Sequence, residues 1–277
     1  MLRLRNLAFA IIVICAALVF INTVPAHAQD TPVYKLGIDA AFPPWTWAEK
    51  GEIKGFDWEL MQYIGKVEGF KIEAADIPWS AIISALSKGK IDILAGGLSF
   101  TCKRSEVIDY AKPHWRIGYW TLVREDSDLN CVTAMSNGAK VGAQAGTTGY
   151  RWLKEELVDR GVKIQLLPYE TVELGIKEVE NGRIQALHID SPTAREYLQA
   201  GRKLKAVCKG LHYDLNAYAV TPGDPNDLLA KINDGLAKAY ESGKLEELVR
   251  KFLPWGSVEK TPFDIDYQEL CKEQGTE

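Results

Sequence analysis

An α/β fold is predicted by three features of this 277-residue chain. Short β-like runs alternate with stretches of helical period, the pattern of a mostly parallel sheet with crossover helices. One helix–turn–strand plan occurs twice, in residues 84–94 and 177–187. Apolar residues make up 47% of the chain, enough for one large core or two modest ones.

The elements follow in order. Arg3 and Arg5 precede an apolar run from Leu7 to Ile21, and Ala26-His27-Ala28 supplies a small-residue cleavage site. This reads as a secretory signal removed after Ala28, since the run falls short of the roughly 20 residues a spanning helix needs. Cys15 lies mid-run behind Ile14, which disfavours a lipoprotein. Val33 to Ile38 is the first strand, followed by a Pro43-Pro44 turn. Phe56, Leu60, Ile64 and Val67 form one stripe of a helix that Gly69 ends. Phe70 to Ile77 reads as strand, Ser80 to Ser87 as helix and Tyr150 to Leu157 as another. Near the C-terminus, Leu229, Ile232, Leu236 and Tyr240 mark helices between Asn226 and Leu253.

Charge and cysteine content narrow the function classes. Removal of residues 1–28 takes away two Arg and no acid, lowering Lys+Arg from 33 to 31 against 37 Asp+Glu, a formal charge of −6. That argues against nucleic acid as a partner. Cys102, Cys131, Cys208 and Cys271 remain, an even number for an exported chain. Three pairings are open, free buried thiols are an alternative, and the absence of a C-x2-C pair disfavours zinc. His114 and His188 have no neighbours in sequence that suggest metal or catalysis and read as packed or surface histidines.

The two copies of the repeated plan lead to Gly96-Gly97-Leu98-Ser99 and to His188-Ile189-Asp190-Ser191. Small and polar groups therefore stand at two strand C-terminal ends, the edge where open α/β sheets bind ligands. Ordinary turn chemistry explains either segment alone, whereas two similar lobes facing one another explain both.

At Gly97, Ser99, Thr101 and Arg104, followed by Val107 to Tyr110, the chain resembles the family 3 extracellular solute-binding proteins, amino-acid receptors of ABC importers. Residues 55–60 match that family's Gly-Phe-Asp signature with Trp58 at an aliphatic position, residues 141–148 match its second-lobe Gly-Thr segment, and Asp190 falls at its ligand-binding aspartate. The resemblance implies a type II periplasmic-binding-protein-like fold, two α/β lobes joined by two crossover strands near Trp120–Arg124 and Tyr218–Thr221. Residues 33–121 and 221–277 would form a discontinuous first lobe and 122–220 the second. It also implies two disulfides, Cys131 with Cys208 and Cys102 with Cys271.

Residue chemistry suits that role. Arg104 can fork onto a ligand carboxylate through two parallel hydrogen bonds, although a surface salt bridge is its plain alternative. Thr147 and Thr148 open a helix, where they either cap it or offer N–H groups to the same carboxylate. Asp190 takes the ammonium or merely caps the turn at Ser191-Pro192; a Gly96 or Gly97 carbonyl and a Ser99 or Thr101 hydroxyl complete the ammonium's acceptors. By resemblance Phe42 and Trp79 wall the side-chain pocket, though both suit a core, and Asp39 stands at a position that is acidic in receptors for basic and polar amino acids. The expected protein is a periplasmic, monomeric receptor without metal or cofactor. It captures a free amino acid, polar or basic, and delivers it to an ABC permease. Two alternatives are an enzyme of this fold like cyclohexadienyl dehydratase and a ligand-sensing partner of a membrane receptor.

Overall fold

The computed structural model describes residues 30–258, 265, 270 and 271; the expected signal segment and its cleavage junction lie outside them. Strands β1 (Val33–Ile38), β5 (Lys71–Asp76), β6 (Ile93–Leu94), β7 (Asp109–Tyr110) and β13 (Ala219–Val220) form one sheet in the order β5-β1-β6-β13-β7. A second sheet runs β10 (Gln165–Tyr169), β9 (Lys140–Gln144), β11 (Ala186–Asp190), β8 (Trp115–Arg124), β12 (Leu204–Asn216). A small antiparallel sheet, β2 (Ala41–Phe42), β3 (Thr46–Glu49) and β4 (Glu52–Lys54), fills the first crossover.

Each large sheet starts with parallel pairs, β1 with β5 and β6, and β9 with β10 and β11. The repeated sequence plan supplies the equivalent unit in both. Helix α2 (Trp79–Ser87) ends before Gly89 and leads into β6; α5 (Val172–Glu180) ends before Gly182 and leads into β11. Both glycines take positive φ, 65° and 69°, which only glycine adopts without strain. Between β6 and β7 lies the single turn α3 (Cys102–Ser105), and β9 leads into α4 (Thr148–Trp152).

Helix α1 (Phe56–Glu68) forms as its periodicity predicts, burying Phe56, Leu60, Met61 and Ile64 completely, and packs on β5 and the C-terminal helices α7 (Leu228–Glu241) and α8 (Lys244–Phe252). Each such side chain contributes about 2–3 kcal/mol of burial. Gly69 ends α1 in the left-handed conformation with its N–H on Gly65 O, and left-handed Gly243 separates α7 from α8. In the second lobe, Val172, Ile176 and Val179 of α5 and Ala194 and Tyr197 of α6 (Ser191–Gln199) pack on Leu122 and Leu187.

Two stretches depart from the sequence expectation. The helix read over Tyr150–Leu157 is α-helical only over Thr148–Trp152 and widens to a π-helical turn over Leu153–Val158, next to where Trp152 stacks on His188 and His212. The passages between sheets lie at residues 111–114, ahead of the expected Trp120–Arg124, and at 217–218, which meets the expected Tyr218–Thr221, because β8 and β12 pair from Trp115↔Asn216 onward as one long antiparallel ribbon. Cys131 is bonded to Cys208 and Cys102 to Cys271.

Candidate functional site

Side-chain alternation brings the site together. On the β8–β11 pair, Tyr119 lies opposite Asp190 and Thr121 opposite His188, so these four share one face. Ile117, two residues earlier on β8, joins that face, with Asp214 of β12 opposite it. Across from this face stand Phe42, Trp79, Gly97, Ser99 and Arg104 of the first lobe. A narrow cleft lies between them.

Asp190 ends β11 and caps α6: its Oδ1 accepts from Thr193 N at 3.0 Å and, across the cleft, from Trp45 Nε1 at 3.2 Å. The capping and binding readings are therefore compatible. Its second oxygen, Oδ2, is buried without a hydrogen-bond partner. Burial pushes this carboxyl up to about 6, only partly offset by hydrogen bonding from Thr193, from Trp45 and from its own backbone. A buried carboxylate with an empty lone-pair face lacks a cation.

Arg104 carries the complementary charge. Its Nη1 donates to Ser99 O at 2.8 Å and its Nη2 to Gly146 O at 2.9 Å, and the guanidinium lies 5.9 Å from the Trp79 ring centroid. Both acceptors are neutral carbonyls, so these bonds aim the fork without cancelling its charge. Among the described residues no carboxylate lies within ion-pair distance of it, in contrast to the surface salt bridge that was its alternative.

Gly96 and Gly97 donate their N–H groups to one oxygen of buried Asp57, at 3.0 and 2.7 Å. Both have positive φ, and a Cβ on Gly97 would stand 2.9 Å from Trp45 and 3.0 Å from Phe42. Gly97 and Ser99 line the cleft, whereas Gly96 and Thr101 sit behind it; Thr101 caps α3 by accepting from Arg104 N. Phe42 and Trp79 form one wall, their ring centroids 6.3 Å apart. The Thr147 hydroxyl is consumed in capping, accepting from Tyr150 N and donating to Gln144 O at 2.7 Å. Thr148 Oγ1 instead meets three oxygens, Asp214 Oδ2 at 2.5 Å, Tyr119 Oη at 2.6 Å and Ser99 Oγ at 3.3 Å. Asp39 stands behind Gln144: Gln144 Nε2 donates to Asp39 Oδ2 at 2.7 Å, and burial raises the Asp39 carboxyl.

Residues 34–254 match the family of bacterial extracellular solute-binding proteins, family 3. The chain belongs to that family. A probable histidine-binding protein of Neisseria gonorrhoeae is 30% identical to this solute-binding protein over 237 residues, 81% of this chain and 84% of the relative. A histidine-bound substrate-binding protein of an ABC uptake transporter from Streptococcus pneumoniae superposes with a TM-score of 0.72 at 26% identity, covering 79% of this chain and 92% of the other. An ancestral amino acid-binding protein, a precursor of cyclohexadienyl dehydratase, gives 0.73 at 29% identity over 79% and 95%.

Several lining residues of this solute-binding protein escaped the sequence reading. Trp45, in the turn between β2 and β3, reaches Asp190, and Tyr119 and Gln144 line the cleft; the latter two would have needed their strands' facing directions to be noticed. His188, read as a packed or surface histidine, is both buried and cleft-lining. It stacks between Tyr119 and Trp152 with His212 alongside, and burial, with His212 nearby, lowers it to about 3, so it stays neutral near pH 7.

Proposed function

We propose that the mature chain is a periplasmic receptor that holds a free L-amino acid in this cleft and hands it to an ABC permease. The supporting observation is the pairing of opposite unmet needs across one small cavity. Arg104 presents an uncancelled guanidinium from one lobe, and Asp190 presents an open, buried carboxylate oxygen from the other. A zwitterion with carboxylate and ammonium on one carbon satisfies both at once, whereas a simple anion or cation leaves one buried charge alone.

Closure follows from the same arrangement. The lobes, 33–121 with 221–277 and 122–220, meet through Arg104 on Gly146, Trp45 on Asp190 and Gln144 on Asp39. A ligand gripped from both sides binds the closed form in preference to the open one, which is what drives a hinge. The relatives' names point to histidine or arginine. Phe42 and Trp79 would then flank the ligand side chain, and the Gln144–Asp39 pair would receive its polar end. Removal of residues 1–28 as a signal would release the receptor, as a monomer, into the periplasm.

Calorimetric titration of refolded, ligand-stripped protein against the twenty amino acids tests this reading. Tight binding of one class, lost in Arg104→Ala and in Asp190→Ala, is the expected result. Failure to bind any amino acid, together with consumption of prephenate, would replace it with a dehydratase of the same fold.

A further inference from the structure

The hydroxyl cluster beside Asp190 carries a direction that can be worked out by counting protons. Thr148 Oγ1 has one proton and three oxygen neighbours: Asp214 Oδ2 at 2.5 Å, Tyr119 Oη at 2.6 Å and Ser99 Oγ at 3.3 Å. A carboxylate can only accept, whereas each hydroxyl can donate once and accept twice. The Thr148 proton therefore belongs to Asp214, where the bond is shortest and charge-assisted. A Thr148 lone pair is then left to accept from Tyr119, while Ser99 Oγ, at 3.3 Å, is placed to accept from Thr148 rather than to donate to it. Burial holds Tyr119 well above its usual range, so it remains a phenol with a proton to give.

Once the Thr148 and Tyr119 protons point towards Asp214, Tyr119 keeps only lone pairs for the cleft. Tyr119 lies opposite Asp190 in the β8–β11 pair, and both line the cleft. We propose that Asp214 is a positioning residue for the ligand: by taking the Thr148 proton it makes the ammonium half of the cleft an acceptor-only surface that selects a primary ammonium over a hydroxyl. This rests on the amino-acid reading above. The chain of bonds joins strand β12 to α4 of the second lobe and to Ser99 of the first, so it is complete only when the lobes are together.

The geometry depends on a close approach. A Cβ on Gly149 would stand 2.8 Å from Tyr119 Cε1, so glycine there is what lets α4 bring Thr148 to the Tyr119 hydroxyl. With Asp214 removed, nothing claims the Thr148 proton. It turns to Ser99 or Tyr119, one of which then presents its own proton to the ammonium.

The test is titration of wild type, Asp214→Ala, Thr148→Val and the double variant. The probes are the amino acid that wild type binds most tightly out of the twenty and the 2-hydroxy acid with the same side chain. Asp214→Ala should weaken the amino acid about 10- to 100-fold and the hydroxy acid far less, narrowing their ratio. In Thr148→Val the further loss of Asp214 should cost almost nothing, because Asp214 acts through that hydroxyl. Equal weakening of both ligands, or additive losses in the double variant, would overturn the inference while leaving the receptor intact. Absence of amino-acid binding in wild type overturns the receptor reading, and this inference with it. Asp214→Leu, which keeps a similar side-chain shape without an acceptor, replaces Asp214→Ala if the latter unfolds; in it too the ratio should narrow, and an unchanged ratio counts against the proposal.

Discussion

Two buried aspartates, one in each lobe, contrast a structural anchor with the residue proposed to take the ligand's ammonium. Asp57, in the first turn of α1, receives four donors: Gly96 N and Gly97 N on Oδ2, and Tyr218 Oη at 3.0 Å and His114 Nε2 at 3.2 Å on Oδ1. Asp190 receives two, both on one oxygen, and its other oxygen faces the cleft with none. The residues are buried alike, at 1% and 4% exposure, so burial alone does not mark a site. The difference lies in completeness. A buried carboxylate whose lone pairs are all met is structure, and one left half-met awaits a ligand.

Removing Asp57 should give the largest effect on stability. Asp57→Ala strands four donors, two of them the backbone groups that shape the Gly96-Gly97 turn, at a cost of roughly 3–5 kcal/mol. Thermal unfolding without ligand should begin about 10 °C lower. A shift of a degree or two would mean that the turn stands without its anchor. Asp190→Asn should do the reverse. Ligand-free unfolding should stay where it is or move up, because a buried charge disappears, while amino-acid affinity falls by about 100-fold or more. Parallel losses of stability and binding in both variants would erase the distinction between them.

A smaller effect follows from acid titration. Because burial raises the ligand-free Asp190 carboxyl to about 6, its neutral form is favoured in the folded protein. That contribution to ligand-free stability is fully present below the ordinary carboxyl range and is lost as pH rises through about 6. Ammonium binding needs the charged form, so affinity should be flat above about pH 7 and fall about tenfold per unit below 6, with uptake of amino acid releasing a proton. His188, held near 3, does not titrate in that window. Calorimetry in buffers of different ionisation enthalpy reads the proton directly, and a flat affinity profile down to pH 5 would show that Asp190 is already ionised in the empty cleft.

The contrast also explains what could be read in the sequence. Alternating strands, the stripe of α1 and the glycines at 69, 89 and 182 are local signals, and an α/β fold followed from them, whereas the two-lobed architecture was implied by the family resemblance. Arg104 and Asp190 were singled out by the motifs that carry that resemblance, since local turn chemistry explains either one alone. Asp214, Tyr119 and Gln144 were not, because their roles depend on which strand lies opposite and on which face the register turns inward. Asp57 sat in a recognised motif, yet nothing local shows that its partners are residues 96, 97, 114 and 218. The placement of Asp39 behind Gln144 is likewise a contact across the cleft, invisible before the lobes are brought together.

Trp45 connects the two aspartates and offers the finest test of their separation. Its carbonyl accepts from Asp57 N at 3.1 Å, its ring packs edge-on against Phe56 with centroids 5.9 Å apart, and its Nε1 reaches across to Asp190 Oδ1. Trp45→Phe keeps the backbone bond and most of the packing but deletes the donor that reaches Asp190 from the opposite lobe. Stability should therefore drop modestly, as for a partly filled core site, while Asp190 loses a bond that favours its charged form. Affinity at pH 7 should fall on the order of fivefold, and the acid limb of the affinity profile should move to higher pH, since the carboxyl now holds its proton more tightly. An affinity loss with no movement of the acid limb would mean that Trp45 acts through lobe contact alone, and Asp190 would then owe its state to burial and the α6 cap rather than to the opposite lobe.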